Sequence, residues 1–271
     1  MNRLQEQSER GDRGNMTVYR CEDSLESIFT AIYLAYEERR DHMDTCINLT
    51  DEPVLFAEDV YVTPDQEKIN KVMRSLYRIF GEKDYMSLCM ALASREEGKA
   101  QAVYRTVVDG LSSKRRAGHL FDNLANDDVY RAFALARVVG REVGHLREFL
   151  RFQEMENGVL CAKITPENNV AAFLMPHFSD RLPQENFMIY DGQRGIFAIH
   201  PAGKQWYLFY NEEKEMDLSF GISAKEQEYQ ELFKYFCHKI AIEERKNLKL
   251  QQNMLPLRFR KNMTEFQNEG S

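Results

Sequence analysis

Arginines, lysines and aromatic side chains recur between residues 141 and 206 at short intervals that suit a phosphate-binding surface. Arg147, Arg151, Arg181, Arg194 and Lys204 supply cations, and Phe152, Tyr190 or Trp206 supply rings on which bases can stack. The competing reading is a set of surface ion pairs with Glu148, Asp180 and Asp191, each worth little. The same stretch holds His145, His177, Asp180, Asp191 and His200, residue types that move protons or ligate metals. Their spacing matches no specific ligand pattern, so no metal is expected. His177, Asp180 and Asp191 are the acid–base candidates, although His177-Phe178-Ser179-Asp180-Arg181 at a helix end also reads as a capping and ion-pair cluster.

A second cationic stretch lies near the C-terminus. From Arg245 to Lys261 every charge is basic: Arg245, Lys246, Lys249, Arg258, Arg260 and Lys261. The run LKLQQNMLPLRFRKNMTEF alternates basic and apolar residues. Leu255, Leu257 and Phe259 can fill a groove while Arg258, Arg260 and Lys261 meet nucleic acid or a partner protein, because arginine stems pack while their heads bind.

The elements that must position these groups read as class α+β. A helical part covers about 22–148, a sheet part about 149–222, and a long helix with a basic tail covers 223–271. Residues 1–15 are polar and expected to be disordered, and 16–271 reads as a single domain. Val18 to Cys21 is a candidate strand that would join the later sheet. Helix starts are expected at Asp23 with Glu26, at Thr63-Pro64-Asp65-Gln66, at Ser94 with Glu97, at Asn126, and at Ser223 with Glu226. Gly81 is read as a helix stop. Tyr229, Leu232, Phe233, Phe236, Cys237 and Ile240 recur at helical period and are expected to form the buried face of the last helix.

The sheet is expected to be antiparallel and to open with a hairpin at 149–164 around Glu156-Asn157-Gly158-Val159. A two-residue turn would pair Glu156 with Val159 and Arg151 with Ile164. Arg151 would then share a face with Phe149, Met155 and Leu160, where it needs a carboxylate or a ligand. A short helix from Asn168 to Phe178 and strands at 187–190, 195–200 and 205–210 follow.

Composition bounds the function. Charged residues make up 29% of the 271, and no apolar run approaches the roughly 18 residues of a membrane span. With no apolar signal core at the start, a soluble cytoplasmic protein is expected. The net charge of −7 argues against a simple nucleic-acid-coating protein, yet local basic ground can still bind a polyanion. Five widely spaced cysteines without a C-x-x-C pair argue against thiolate-held zinc or iron–sulfur and for reduced, mostly buried thiols. No Walker loop, dinucleotide fingerprint, H-E-x-x-H or nucleophile elbow is present.

Five segments taken together carry a resemblance: YRCEDSLESIFTAIYLAYE, FLRFQEMENGVLCAKITPENNV, LMPHFSDRLP, FMIYDGQRGIFA and QQNMLPLRFRKNMTEF. The chain after Met16 resembles the bacterial "probable DNA metabolism protein" family, built on a conserved domain of unknown function. Its members are paired with a DNA-repair radical-SAM protein, and a related domain occurs fused to a uracil-DNA glycosylase-like module. The resemblance implies an accessory role in DNA repair or metabolism and supplies no catalytic mechanism. It directs attention to Arg151, Phe152, His177, Phe178, Arg181, Asp191, Arg194, Arg258 and Lys261. This chain has Gly144 where the family has histidine, with His145 one place later. The scarcity of cysteine assigns any radical-SAM chemistry to the partner, so no cofactor is expected here. Three readings stay open: an accessory that binds DNA or a repair enzyme, an enzyme acting on a modified base or nucleotide, and a protein-interaction module with an exposed apolar patch.

Overall fold

The computed structural model describes residues 16–211, 221–240, 255–263 and 266. The expected disorder of residues 1–15 and the basic positions Arg245, Lys246 and Lys249 lie outside the described residues. The class is α+β. The chain divides into two compact units, one up to residue 139 and one from residue 140.

The first unit holds β1 (Met16–Arg20), α1 (Leu25–Glu37), β2 (Thr45–Asn48), β3 (Ala57–Tyr61), α2 (Gln66–Leu92) and α3 (Lys99–Ser112). It also holds α4 (Asp127–Phe149) as far as residue 139. The early strand does not join the later sheet. It forms the centre of a separate three-stranded parallel sheet, ordered β2-β1-β3, with Val18 opposite Cys46 and Asp59. A run buried from Thr17 to Arg20 suits the middle of a parallel sheet better than an edge, which is why the strand is flanked on both sides.

The caps shift by small steps. Ser24, not Asp23, caps α1 by accepting from the Ser27 N–H at 3.1 Å. Asp65, not Thr63, caps α2 through Glu67 and Lys68. Ser94 caps no helix; its hydroxyl accepts from Glu96, and α3 starts after Gly98. Asn126 does cap α4, accepting from Asp128 and Val129. At Gly81 α2 breaks, with φ +78, a conformation glycine adopts without strain.

The second unit holds the rest of α4, then β4 (Gln153–Glu154), β5 (Leu160–Ile164), α5 (Ala171–Arg181), β6 (Phe187–Asp191), β7 (Ile196–His200), β8 (Tyr207–Tyr210), α6 (Ala224–Ile240) and a short α7 (Leu257–Arg260). The sheet runs β4-β5-β6-β7-β8. It is mixed rather than antiparallel throughout, because β5 and β6 run parallel. Residues 165–186 are long enough for a helical crossover, which returns the chain in the same direction. The core face carries Ala162, Ile164, Phe187, Ile189, Ile196 and Ala198, all buried.

The hairpin differs from expectation by one residue. Its loop has three residues, Glu156-Asn157-Gly158, closed by Met155 N–H to Val159 O at 3.0 Å, with Gly158 at φ +77. That left-handed glycine supports a three-residue loop with a bulge, and Glu154 faces Leu160 instead of Met155. Helix α4 runs through Phe149, so Arg151 lies in the link before β4 and has no strand partner in Ile164. The last helix also departs from its predicted packing. Ser223 caps it through Glu226 as expected, but Tyr229, Leu232 and Phe233 are exposed. Helical periodicity identifies an apolar stripe without specifying what covers it. The side chains of Phe236, Cys237 and Ile240 lie outside the described residues.

Cys21, Cys89 and Cys161 are unpaired and buried, and burial pushes their thiols up to about 12, 11 and 11 respectively. Among the described residues no helix is long and apolar enough to cross a membrane.

Candidate functional site

The loop joining β5 to α5 is fastened by side chains from three other elements of the second unit. Glu142 on α4 is 1% exposed. Its carboxylate accepts from the backbone N–H of Glu167 at 2.9 Å and of Asn168 at 3.0 Å, and from the Asn168 side-chain amide at 2.7 Å. A buried carboxylate needs such donors, since leaving it unsolvated and unpaired costs several kcal/mol, roughly. From the β6–β7 turn, the Arg194 guanidinium donates to Pro166 O at 3.2 Å and to Glu167 O. From the C-terminal segment, Asn262 donates to Thr165 Oγ1 at 3.2 Å and Arg258 pairs with the Glu167 carboxylate.

Arg194 is itself held by Asp191, which is fully buried. Asp191 Oδ2 accepts from Arg194 Nη1 at 3.0 Å, and Oδ1 accepts from the backbone N–H of Gln193 and Arg194. Burial raises the Asp191 carboxyl above its ordinary range, against the opposing pull of Arg194 and these N–H donors. Asp191 and Arg194, predicted as an acid–base group and a phosphate contact, are thus brought together as a clasp on the loop.

Beside the clasp lies a small cleft. Leu146, Phe149 and Leu150 give it an apolar side, and Arg151, Lys163 and Arg258 bring three cationic side chains to it. Its volume is about 20 Å³, room for a water molecule or a single anionic oxygen rather than a base. Arg151 reaches the carbonyls of Glu148 and Leu150 at the end of α4, both at 3.4 Å, where positive charge complements the helix terminus. Lys163 is exposed, with its ammonium 6.0 Å from the Tyr190 ring centroid. Phe259 is buried, edge-on to His145 at 5.4 Å, and anchors the short helix that presents Arg258.

The remaining predicted residues scatter. Arg147 is exposed and donates to Phe173 O at 3.0 Å. Asp180 and Arg181 are exposed at the end of α5, and the His177 ring sits edge-on to Phe178. Lys204 is exposed in the turn before β8, and Trp206 is half-buried. Arg260 lies over Phe266, and Lys261 is exposed. His200 is buried, stacked on Phe187, with Nδ1 3.0 Å from Glu185 O. Phe152 packs edge-on between Phe178 and Phe187, and Tyr190 stacks on Phe197, so these two rings are taken up internally. Among the described residues no hydrogen bond or ion pair joins His177, Asp180 and Asp191, and no group of three or more His, Cys, Asp or Glu side chains is placed to hold a metal ion.

Sequence reasoning missed Glu142, Lys163, Thr165, Glu167 and Asn262. Two left a signal. Lys163 is the one charge in the apolar run Leu160–Ile164, and Glu142 sits between Val139 and Val143 on the apolar side of α4.

The sequence profile of a domain of unknown function, DUF4130, matches residues 97–265, more than half of the chain, and the chain belongs to that family. No curated protein and no solved structure matches it.

Proposed function

We propose that residues 140–271 form a nucleic-acid-binding module and that the protein is an accessory in DNA repair or DNA metabolism, acting in the cytoplasm beside a radical-SAM DNA-repair protein. The observation that carries the binding reading is the convergence of Arg151, Lys163 and Arg258 on one cleft, while the nearby carboxylates of Glu142 and Asp191 are buried and engaged inward. Glu167, part-exposed and paired with Arg258, is one carboxylate beside three cationic side chains, and ground with such an excess of positive charge attracts phosphate. The chain as a whole carries a net charge of −7, which disfavours a polyanion elsewhere and so confines binding to this ground. The repair setting and the radical-SAM partner rest on the resemblance of five sequence segments to DNA-metabolism proteins.

The test is binding of fluorescein-labelled single-stranded, duplex and uracil-containing DNA by wild type and by an Arg151→Ala, Lys163→Ala double variant across a salt series. Wild type is expected to lose affinity steeply with salt. The variant should bind more weakly and show a salt slope shallower by about 0.7–0.9 for each phosphate contact removed. Wild type that binds none of these DNAs overturns direct contact. Co-purification with the radical-SAM protein then tests the partner separately.

A further inference from the structure

The cleft does not end at Lys163. Register places Lys163 on β5 opposite Tyr190 on β6, Tyr190 opposite Phe197 on β7, and Phe197 opposite Phe209 on β8. Paired residues project from the same side of a sheet, so the four side chains form one row across four strands. The contacts follow the register. The Lys163 ammonium lies 6.0 Å from the Tyr190 centroid, Tyr190 and Phe197 stack at 4.5 Å and 17°, and Phe197 meets Phe209 at 6.2 Å and 52°. The inner rings are buried, but Phe209 at the far end is 52% exposed. Tyr207, two residues earlier and therefore on the same face, is 51% exposed. The row thus runs from a cation at the cleft to two half-exposed rings on the edge strand, about 14 Å away at roughly 4.8 Å per strand.

We infer that this face takes single-stranded nucleic acid, with backbone phosphate at Arg151, Lys163 and Arg258 and unpaired bases stacked on Tyr207 and Phe209. The inference rests on the nucleic-acid reading above and adds the form of the strand. A cleft of about 20 Å³ admits phosphate oxygens and no base, so bases must be met elsewhere on the surface. A duplex keeps its base faces stacked within the helix, and only an unpaired base offers a π-face to an exposed ring. Stacking tolerates every base, which predicts little sequence preference. Fixing the rings and the cation to one hydrogen-bonded sheet holds their separation constant, as a track for successive nucleotides requires.

The experiment compares affinity of the full chain for a labelled oligo(dT) and for a duplex of equal length, in wild type, a Tyr207→Ala, Phe209→Ala double variant and a Tyr207→Leu, Phe209→Leu double variant. Folding is checked by the fluorescence of Trp206, the only tryptophan. Wild type is expected to prefer the single strand. Both variants should lose about 10- to 100-fold on oligo(dT) while their duplex affinity and salt slope stay as in wild type. The leucine pair keeps apolar bulk without a ring, so it remains decisive if the alanine pair does not fold. DNA binding that depends on salt but is indifferent to both ring variants, or equal affinity for the two DNA forms, overturns the single-strand inference and leaves the binding module standing. Absence of any DNA binding by wild type overturns both, and an acidic protein partner then becomes the occupant to test.

Discussion

Among the described residues of the first unit the charges driven inside are mainly cations. Arg20, 5% exposed, is held by Asp59 at 2.8 Å and by Thr50 O, and Lys99, 3% exposed, is held by Asp23 at 2.6 Å and by Ser94 O. Asp84, which accepts from Leu120 N–H, is the exception. Among the described residues of the second unit the buried side chains of the Asp, Glu, Lys and Arg types are Glu142 and Asp191, while Arg151, Lys163 and Arg258 line the surface cleft. The difference teaches which surface is left to bind. A buried charge must be met by partners drawn from its own fold, because desolvation outweighs any loose pairing. Where the fold consumes cations, its surface keeps carboxylates. Where it consumes carboxylates using backbone N–H groups as well as arginine, cations such as Lys163 stay available at the surface.

The largest effect is expected at Glu142. Replacement by alanine strands two backbone N–H groups and the Asn168 amide, and is expected to cost about 3–5 kcal/mol. A urea titration followed by Trp206 fluorescence reads it, and a cost below about 1 kcal/mol would show that the buried carboxylate does not hold the loop. Arg20→Ala should cost less, about 2 kcal/mol, because Asp59 is part-exposed and regains water when its partner goes. Far-UV circular dichroism during urea unfolding measures it, and a loss as large as that of Glu142→Ala would erase the contrast between the two units. Lys163→Ala should change stability by no more than about 0.5 kcal/mol, as an exposed cation does, and Arg151→Ala, at a half-buried side chain bonded to the end of α4, by about 1 kcal/mol, even where DNA affinity falls. A large loss of stability would reassign those cations to the fold.

The smallest expected effect concerns Asp191. Burial raises its carboxyl, so the folded chain keeps a proton over a window in which the unfolded chain has released it. Stability from this group is therefore present at acid pH and lost as the pH rises through that window. Asp191→Asn retains an oxygen for the Gln193 and Arg194 N–H groups and removes the titration. The advantage of wild type over the variant should shrink as pH rises above the ordinary carboxylate range, measured by urea midpoints at stepped pH. An advantage that grows with pH would mean that pairing with Arg194 outweighs desolvation.

Much of the local structure was readable because it depends on neighbours in sequence. The caps at Asn126 and Ser223 are set within three residues by side-chain oxygens and the next free N–H groups. The strands at 187–191 and 196–200 follow from apolar runs bounded by turn residues. The hairpin was readable in place but not in register, because Asn-Gly serves both two- and three-residue loops. Only the left-handed conformation of Gly158 between Met155 and Val159 settles which one forms. In the candidate site the sequence offered Arg151 and Arg258 as cations. It could not show that Arg194 is spent on Asp191 and on the 165–168 loop, since those partners stand up to 28 residues away.

By itself the sequence determined the α+β class, the helix starts marked by strong caps, the cationic character of the segments around residue 150 and residue 260, and membership of a family by residues 97–265. These are properties of composition, period and short-range hydrogen bonding, which each segment carries with it. The tertiary structure decided which charges are hidden, which strands pair in parallel, and that Lys163, Tyr190, Phe197 and Phe209 form one row. Those outcomes depend on which distant segments meet, and desolvation then sorts the charges, burying those whose partners arrive and leaving the others to water.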